Sequence, residues 1–273
     1  MTKVPEFIID EMKWSFSRLN CWHQCKYSWY LQYVKKADSL QNAFAEYGTL
    51  MHETLEKYAK NELLDFMLPD YFADNFEKAI TYKFPPNKYV DLRQSYYEKG
   101  VKYLENFEGF DTYKEIVGVE KKVEFKIGKY EFIGYIDLLV RDKDGNLQVI
   151  DHKSHNLKPR SNRKKATKGD IELDGFLRQL YLYSIPLLPE YRQLPSYLNF
   201  NVFRQNLWIH EPFKKENLEE AKQWAIDTIE DIKKAETFPA TYDDFFCNQL
   251  CNFRKICGFK YAKEKDKINK KRR

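Results

Sequence analysis

Residues 130–153, YEFIGYIDLLVRDKDGNLQVIDHK, decide the fold of this chain. Two apolar runs rich in β-branched and aromatic residues flank the turn signal Asp-Lys-Asp-Gly at 142–145. A third run precedes them and ends at Gly128-Lys129, a typical two-residue turn. The pattern therefore predicts a three-stranded antiparallel meander, the core of a sheet, over 116–127, 130–141 and 147–153.

Two carboxylates and a lysine are the candidate catalytic groups of this meander. Asp137 and Asp151 belong to neighbouring strands, and Lys153 follows Asp151 by two residues, so that Asp151 and Lys153 point to the same face. Two carboxylates can hold Mg²⁺ or Mn²⁺, and an ammonium group beside them can stabilise the charge that develops on a phosphate. The set predicts phosphodiester hydrolysis; glycoside hydrolysis also uses two carboxylates but gives the lysine no role.

The composition is that of a folded domain with a sizeable core. The chain has 273 residues, of which 16% are aromatic and 32% charged. Its formal charge of +5 suits a polyanionic partner such as DNA, but many other proteins have a similar charge. Because no apolar run approaches the roughly 20 residues of a membrane span and no secretion signal begins the chain, we expect no membrane association and a cytoplasmic location, in a bacterium or a phage-infected host.

Hydrophobic periodicity divides the chain into four parts of one domain over 1–273. Helices are predicted over 17–33, 44–60, 91–108, 171–185 and 214–236, and two further strands over 196–213. The parts are a helical N-terminal part at about 15–110, a catalytic sheet core at about 115–213, a C-terminal helix with a Cys-rich segment at about 214–260, and a basic tail at 261–273.

Five motifs, in their order along the chain, resemble those of the RecB-like branch of the PD-(D/E)xK nucleases. This resemblance spans most of the chain and implies an α/β fold with a restriction-endonuclease-like core, a central mixed β-sheet flanked by helices. The matching segments are Ser15-Phe16-Ser17-Arg18-Leu19 with Trp22 and Cys25, Gly48-Thr49-Leu50-Met51-His52, Gly134-Tyr135-Ile136-Asp137, Asp151-His152-Lys153, and Gln179-Leu180-Tyr181-Leu182-Tyr183.

The resemblance also implies a role for each motif residue. His52, Asp137, Asp151 and the backbone carbonyl of His152 are expected to hold Mg²⁺ or Mn²⁺, and Lys153 to orient or activate the attacking water. Gln179 and Tyr183 lie one helical turn apart and are expected to contact the substrate phosphate or the lysine. Taken singly, each residue has an ordinary structural interpretation, but the joint order of the motifs favours the catalytic one.

The five cysteines are bunched at the two ends of the chain, unlike the framework of a secreted disulfide-bonded domain. Members of this branch that carry an iron-sulfur cluster use one Cys before the His motif and three near the C-terminus. The resemblance therefore implies that Cys25, Cys247, Cys251 and Cys257 ligate a [4Fe-4S] cluster that joins the N- and C-terminal segments. By ligand type alone, tetrahedral Zn²⁺ or simple burial of small side chains is an alternative, and Cys21 is expected to be a packing residue.

A basic segment over 158–168 follows the catalytic lysine and is predicted to be an exposed loop. Runs of Lys and Arg are more often solvated surface than binding sites, but the position of this one suggests contacts with DNA phosphates. The candidate DNA-binding residues are Arg160, Arg163, Lys164, Lys165 and Lys168.

Together these patterns predict a metal-dependent DNA nuclease, an exonuclease on single-stranded ends, as the resemblance to CRISPR-associated and phage exonucleases implies. A recombination, replication or CRISPR-adaptation protein is the expected protein partner. One alternative is a nucleic-acid-binding assembly module that keeps the fold and cuts little, for which loss of Lys153 would have no effect. The other is a structural zinc protein, which would contain zinc without iron.

Overall fold

The computed structural model describes residues 6–259, so the predicted basic tail at 261–273 lies outside the described residues. Five strands form one mixed sheet in the order β1-β2-β3-β4-β5, in which only β3 and β4 are parallel. The predicted meander and the two later strands are confirmed. The strands are β1 Glu115–Ile127, β2 Tyr130–Arg141, β3 Leu147–His152, β4 Tyr197–Val202 and β5 Leu207–Pro212.

Nine α-helices accompany the sheet in the described part of the chain. None of the helices over 6–259 is both long and apolar enough to cross a bilayer. Their bounds are α1 Glu6–Asp10, α2 Phe16–Gln24, α3 Lys26–Trp29, α4 Ala43–Ala59, α5 Leu68–Ala79, α6 Leu92–Glu105, α7 Lys168–Tyr183, α8 Leu187–Tyr191 and α9 Lys215–Lys234.

Helices cover both faces of the sheet. Helix α7 contacts β2 and β4 and packs in one layer with α2 and α9, over a core that includes Phe132, Leu139 and Phe200. Leu138 and Val140 pack into a separate apolar cluster with the end of α4. Helices α4, α5 and α6 form a third group with a core of their own. This arrangement confirms the predicted fold class, a central mixed β-sheet flanked by helices.

The first predicted helix, 17–33, is wrong in one respect, because it is broken at Cys25. Cys25 has extended backbone angles, φ −162° and ψ 108°, and caps both the end of α2 and the start of α3. Its Sγ accepts a hydrogen bond from the backbone N–H of Ser28 at 3.5 Å. Helix α3 continues into a π-helical turn, Tyr30–Val34.

Helix α5 was not predicted from the sequence. Its buried face consists of Leu68, Phe72 and Phe76, a regular spacing of four residues that is typical of an amphipathic helix. Phe72 packs so closely on α6 that a Cβ added to Gly100 would lie 2.4 Å from its ring. The α5–α6 contact therefore depends on a glycine in the facing helix.

Candidate metal centre and catalytic residues

The register of β2 and β3 brings the two predicted aspartates together. Leu138 pairs with Ile150, so Asp137 and Asp151, the next residues outward, lie opposite one another. The backbone N–H of His152 donates a hydrogen bond of 2.8 Å to Oδ2 of Asp137, which fixes that carboxylate across the strand pair. The half-buried carboxylate of Asp137 and the buried carboxylate of Asp151 thus lie together at one end of the paired segment.

Helix α4 adds His52 to the carboxylates. Its Nε2 lies 2.9 Å from the backbone carbonyl oxygen of His152, and since that oxygen can only accept, Nε2 carries the proton. In the neutral ring Nδ1 then presents a lone pair, and it lies 3.5 Å from Oδ2 of Asp137. Burial lowers the pKa of His52, which favours this neutral form. Two electron-pair donors therefore face each other across a gap that a cation can bridge.

Glu120 completes the donor set, and sequence reasoning missed it. One donor atom each from His52, Glu120 and Asp137 lies within 4.8 Å of the others. Glu120 has a positive φ of 47°, an uncommon backbone conformation for a residue with a side chain and one that is enriched at functional sites. The Gly128-Lys129 turn could have indicated Glu120, because this turn pairs Ile127 with Tyr130. Counting seven residues back along β1 and seven forward along β2 from that pair places Glu120 opposite Asp137.

Asp151 and Lys153 form a second pair beside this donor set. Nζ of Lys153 lies 2.7 Å from Oδ2 of Asp151 and 3.3 Å from Oε1 of Gln179, to which it donates a hydrogen bond. Its ammonium also lies over the rings of Phe176 and Phe200, at 5.3 and 5.9 Å from their centroids. Residues of the sheet and of α7 therefore hold the lysine together.

Tyr183 lies against the sheet one turn after Gln179. A Cβ built on Gly134 would lie 2.3 Å from the Tyr183 ring, so only glycine allows the ring to approach β2 this closely. Burial, and then the charge of Asp151, raise the pKa of Tyr183, which stays a neutral phenol. Gly134 and Tyr183, which belong to two separate predicted motifs, are therefore packing partners.

Asn201 on β4 positions both residues that follow Asp151. Its backbone carbonyl accepts a hydrogen bond of 2.8 Å from the N–H of Lys153. Its side-chain Nδ2 lies 3.1 Å from Nδ1 of His152 and 2.7 Å from the hydroxyl of Tyr103. Burial lowers the pKa of His152 well below its usual value, so this ring is neutral and accepts at Nδ1. No feature of the sequence singles out Asn201.

The carboxylates of the centre repel one another. Burial, and then the charge of Asp151, raise the pKa of Asp137 well above its ordinary value. Burial, and then the charge of Glu56, raise the pKa of Glu120. Both shifts mean that the ionised groups lack sufficient positive charge around them. A divalent cation would relieve this repulsion, and carboxylate and imidazole donors fit Mg²⁺ or Mn²⁺.

The four cysteines of the predicted cluster line one cavity of about 110 Å³. Cys25 comes from the break after α2, and Cys247, Cys251 and Cys257 come from the segment around the π-helical turn Phe246–Leu250. All five cysteines of the chain are free thiols. Burial raises the pKa of Cys247 and Cys251, so both thiols favour the protonated form, and a bound cation would favour the thiolate.

The basic loop is exposed, but Arg160 has other partners. Its guanidinium pairs with Asp174 at 2.7 Å and with Glu211 at 2.9 Å. Asp170 holds the rest of the loop, because it accepts hydrogen bonds from the backbone and hydroxyl groups of Ser161 and Thr167. Arg163, Lys164, Lys165 and Lys168 remain exposed side chains.

Comparisons with known proteins agree with this geometry. A family described as the PD-(D/E)XK nuclease superfamily matches residues 13–258. An ATP-dependent helicase/deoxyribonuclease subunit from Streptococcus agalactiae, serotypes Ia and V, is 26% identical over 224 residues, or 72% of this chain and 19% of the relative. The serotype III protein is 25% identical over 193 residues, or 64% of this chain and 16% of the relative.

The chain therefore spans about a fifth of the length of these curated relatives. The crystal structure of SSO0001 covers 93% of this chain and 96% of its own at 17% identity, with a TM-score of 0.28, which is too low to support an argument. The family match extends over most of the chain and includes every residue of the metal centre. The chain belongs to the PD-(D/E)XK nuclease superfamily.

Proposed function

We propose that this chain is a metal-dependent nuclease that hydrolyses phosphodiester bonds in DNA. The observation that carries the proposal is the convergence of His52, Glu120 and Asp137 within 4.8 Å, beside the Asp151–Lys153 pair. Oxygen and imidazole donors next to an ammonium group are the elements that metal-assisted phosphate chemistry requires. Membership of a nuclease superfamily supports the same reaction.

Each residue of the centre has a distinct role in this proposal. His52, Glu120, Asp137 and Asp151 would hold Mg²⁺ or Mn²⁺, which when bound polarises the phosphate and acidifies a water. The His152 carbonyl oxygen accepts a hydrogen bond from Nε2 of His52, and it keeps a second lone pair with which it could bind a metal. Lys153, held between Asp151 and Gln179, would orient the attacking water and stabilise charge on the phosphate oxygens.

We propose the end of a single DNA strand as the substrate and exonucleolytic cleavage as the activity. The relatives from Streptococcus agalactiae are named as subunits of a helicase/deoxyribonuclease, an assembly that would both unwind and cut DNA. An unwinding partner would supply this chain with single strands. A protein of recombination, replication or CRISPR adaptation is the class of partner that we propose.

The cysteine-lined cavity is proposed to hold a [4Fe-4S] cluster. Zn–S bonds of about 2.3 Å would bring the sulfurs of a tetrahedral zinc site to about 3.8 Å from one another. Among the described residues, no three cysteine sulfurs lie within 4.8 Å of one another. Four thiols spread around a cavity of about 110 Å³ therefore suit a multinuclear cluster better than one Zn²⁺. The cluster would join the two ends of a single domain.

Degradation of end-labelled single-stranded DNA tests the nuclease proposal. We expect cleavage that requires added Mg²⁺ or Mn²⁺ and that falls about a thousandfold in Lys153→Met, which keeps the side-chain length but removes the charge. Lys121→Met is the matched control, because Lys121 lies on β1 and pairs with Glu190 instead. Equal rates for wild type and Lys153→Met would contradict the proposal.

A further inference from the structure

A large cleft leads away from the metal centre toward the cysteine-rich segment. Its cavity volume is about 780 Å³, within the range of about 300–1,000 Å³ that is usual for ligand sites. Its lining includes Ser154 and His155, which directly follow Lys153. Phe245 and Phe246 also line the cleft, and Phe246 lines the cysteine cavity as well. The lining of the cleft thus includes residues next to the catalytic lysine and residues of the cysteine-rich segment.

The cleft has an unusual charge balance. None of the described residues that line it is Asp or Glu, although the whole chain has 41 acidic residues among 273. Five of the lining side chains are carboxamides, which can form hydrogen bonds with the edges of unpaired bases. A lining that combines amides with an absence of carboxylates suits a polyanion with polar bases.

Arg204 is the cation of the cleft. Within residues 6–259 it forms no ion pair, and its guanidinium stacks on the ring of Tyr96 at 4.6 Å from the centroid. Stacking holds the planar group in place without neutralising its charge. Arg204 is therefore an available partner for a phosphate group of a strand in the cleft.

Aromatic rings also line the cleft. The side chain of Phe245 is 53% exposed, which is high for an aromatic residue inside a cleft, and its ring centroid lies 6.3 Å from that of Phe44. Two long-range hydrogen bonds fix this wall: Leu40 N–H donates to the Asn252 carbonyl at 2.9 Å, and the Asn42 amide donates to the Leu250 carbonyl at 3.3 Å. A rigid wall with an exposed ring can stack on a base.

We infer that this cleft binds the unpaired strand of the substrate over several nucleotides next to the scissile phosphate, with a base stacked on Phe245 and a phosphate on Arg204. The inference rests on the proposed nuclease function and names the subsite that selects single strands. A duplex hides its base faces and presents mainly phosphates, so it gains nothing from Phe245 or the amides. Selection of single-stranded DNA then follows from base stacking in the cleft.

Fluorescence anisotropy with labelled oligonucleotides of about 12 nucleotides tests the inference. Binding is measured without added Mg²⁺ or Mn²⁺, so that the strand stays intact. We expect Phe245→Ala to raise Kd about tenfold, equivalent to about 1.4 kcal/mol for one lost base stack. Wild type should bind an abasic strand about tenfold more weakly than a normal strand, and Phe245→Ala should no longer distinguish the two.

Phe66→Ala is the matched control, because Phe66 is 72% exposed but lies outside the cleft. Its Kd should equal that of wild type for both strands. Arg204→Gln is the second variant, and it should weaken binding of normal and abasic strands alike. The inference is overturned if Phe245→Ala binds both strands as wild type does, or if wild type binds abasic and normal strands equally.

Cleavage of the same oligonucleotides by wild type in Mn²⁺ separates this inference from the nuclease proposal. If wild type does not cut but Phe245→Ala binds more weakly, the nuclease proposal fails and the cleft assignment stands. If wild type cuts and binding is unaffected by Phe245→Ala, the centre is a nuclease and the cleft assignment fails. A thermal melt of each variant verifies that the comparison is made between folded proteins.

Discussion

The metal centre and the cysteine cavity are built in opposite ways. Asp137 and Asp151 lie on paired central strands, and their positions are fixed by backbone hydrogen bonds. Cys25 lies at a helix break and Cys247 in a π-helical turn, and the cavity borders a small apolar cluster that includes Cys251. The sheet therefore holds its donor side chains in place through its own backbone, whereas the cavity that we propose for a cluster lies among irregular segments, and we expect its stability to depend on that cluster. Loss of the ligand should accordingly affect activity in the first region and folding in the second.

The largest expected effect is on stability and concerns the cavity. Cys251→Ser should lower the free energy of unfolding by at least about 4 kcal/mol, because a bound cluster contributes its binding energy to the folded state. Cys21→Ser is the control, since the Cys21 thiol contacts Ser28 and Gln32 instead. Urea titration measures both. Equal stability of the two variants would remove the contrast between the regions.

The next effect is on activity and concerns the residue that sequence reasoning missed. Glu120→Gln should reduce cleavage about a hundredfold, equivalent to about 2.7 kcal/mol, because it removes a negative donor from the metal centre. Glu124→Gln is the matched control on the same strand, where Glu124 is exposed and pairs with Lys13 and Lys122. Initial rates at saturating Mn²⁺ and at limiting Mn²⁺ measure the loss of turnover and of metal affinity. If both variants cut as wild type does, Glu120 is not a ligand.

A smaller effect concerns packing beneath the metal centre. Gly134→Ala should cost about 1–3 kcal/mol of stability, because the new Cβ would lie 2.3 Å from the Tyr183 ring. Gly175 lies in the same helix as Tyr183, and a Cβ added there would have no neighbour within 4 Å. Gly175→Ala should therefore stabilise the folded protein by about 1 kcal/mol. Thermal unfolding shows whether each variant is less or more stable than wild type. A neutral Gly134→Ala would mean that the strand can move away from α7.

The smallest effect, about 1 kcal/mol, is a pH dependence of the metal-free protein. The pKa of Asp137 is raised, so its stabilising protonated form is fully present below about pH 4 and is lost as the pH rises through the raised value. Asn mimics the protonated form, and Asp137→Asn should therefore be more stable than wild type at about pH 8 but equal to it at about pH 4.

Asp142 provides the control of opposite sign for this pH dependence. Burial alone would raise its pKa, but hydrogen bonds, chiefly from Asn146, lower the pKa below its usual value. Its stabilising ionised form is present above the unfolded pKa and is lost as the pH falls, so Asp142→Asn should be less stable than wild type at about pH 8. Urea titrations at the two pH values check both variants. If both substitutions changed the stability at about pH 8 in the same direction, the repulsion between carboxylates inferred at Asp137 would be contradicted.

The sequence was sufficient for the local part of the fold and of the candidate site. Turn signals and alternating patterns predicted the meander and the opposition of Asp137 and Asp151, because both depend on neighbours in sequence. The break at Cys25 and the positive φ of Glu120 are departures from regular structure that no periodicity reports. The ion pairs of Arg160 with Asp174 and Glu211 join residues that are distant in sequence, so no local pattern indicates them, and the assignment of Arg160 to DNA stays a prediction.

One experiment compares the two regions directly. Wild type, Asp151→Asn and Cys251→Ser are purified anaerobically, and the visible absorption of each is recorded near roughly 400 nm. The same samples are then assayed for Mn²⁺-dependent degradation of end-labelled single-stranded DNA. Wild type should absorb and cut, Asp151→Asn should absorb fully without cutting, and Cys251→Ser should lose the absorption and unfold more easily. Cleavage by Asp151→Asn at the wild-type rate would contradict the central claim that the sheet carboxylates perform the chemistry.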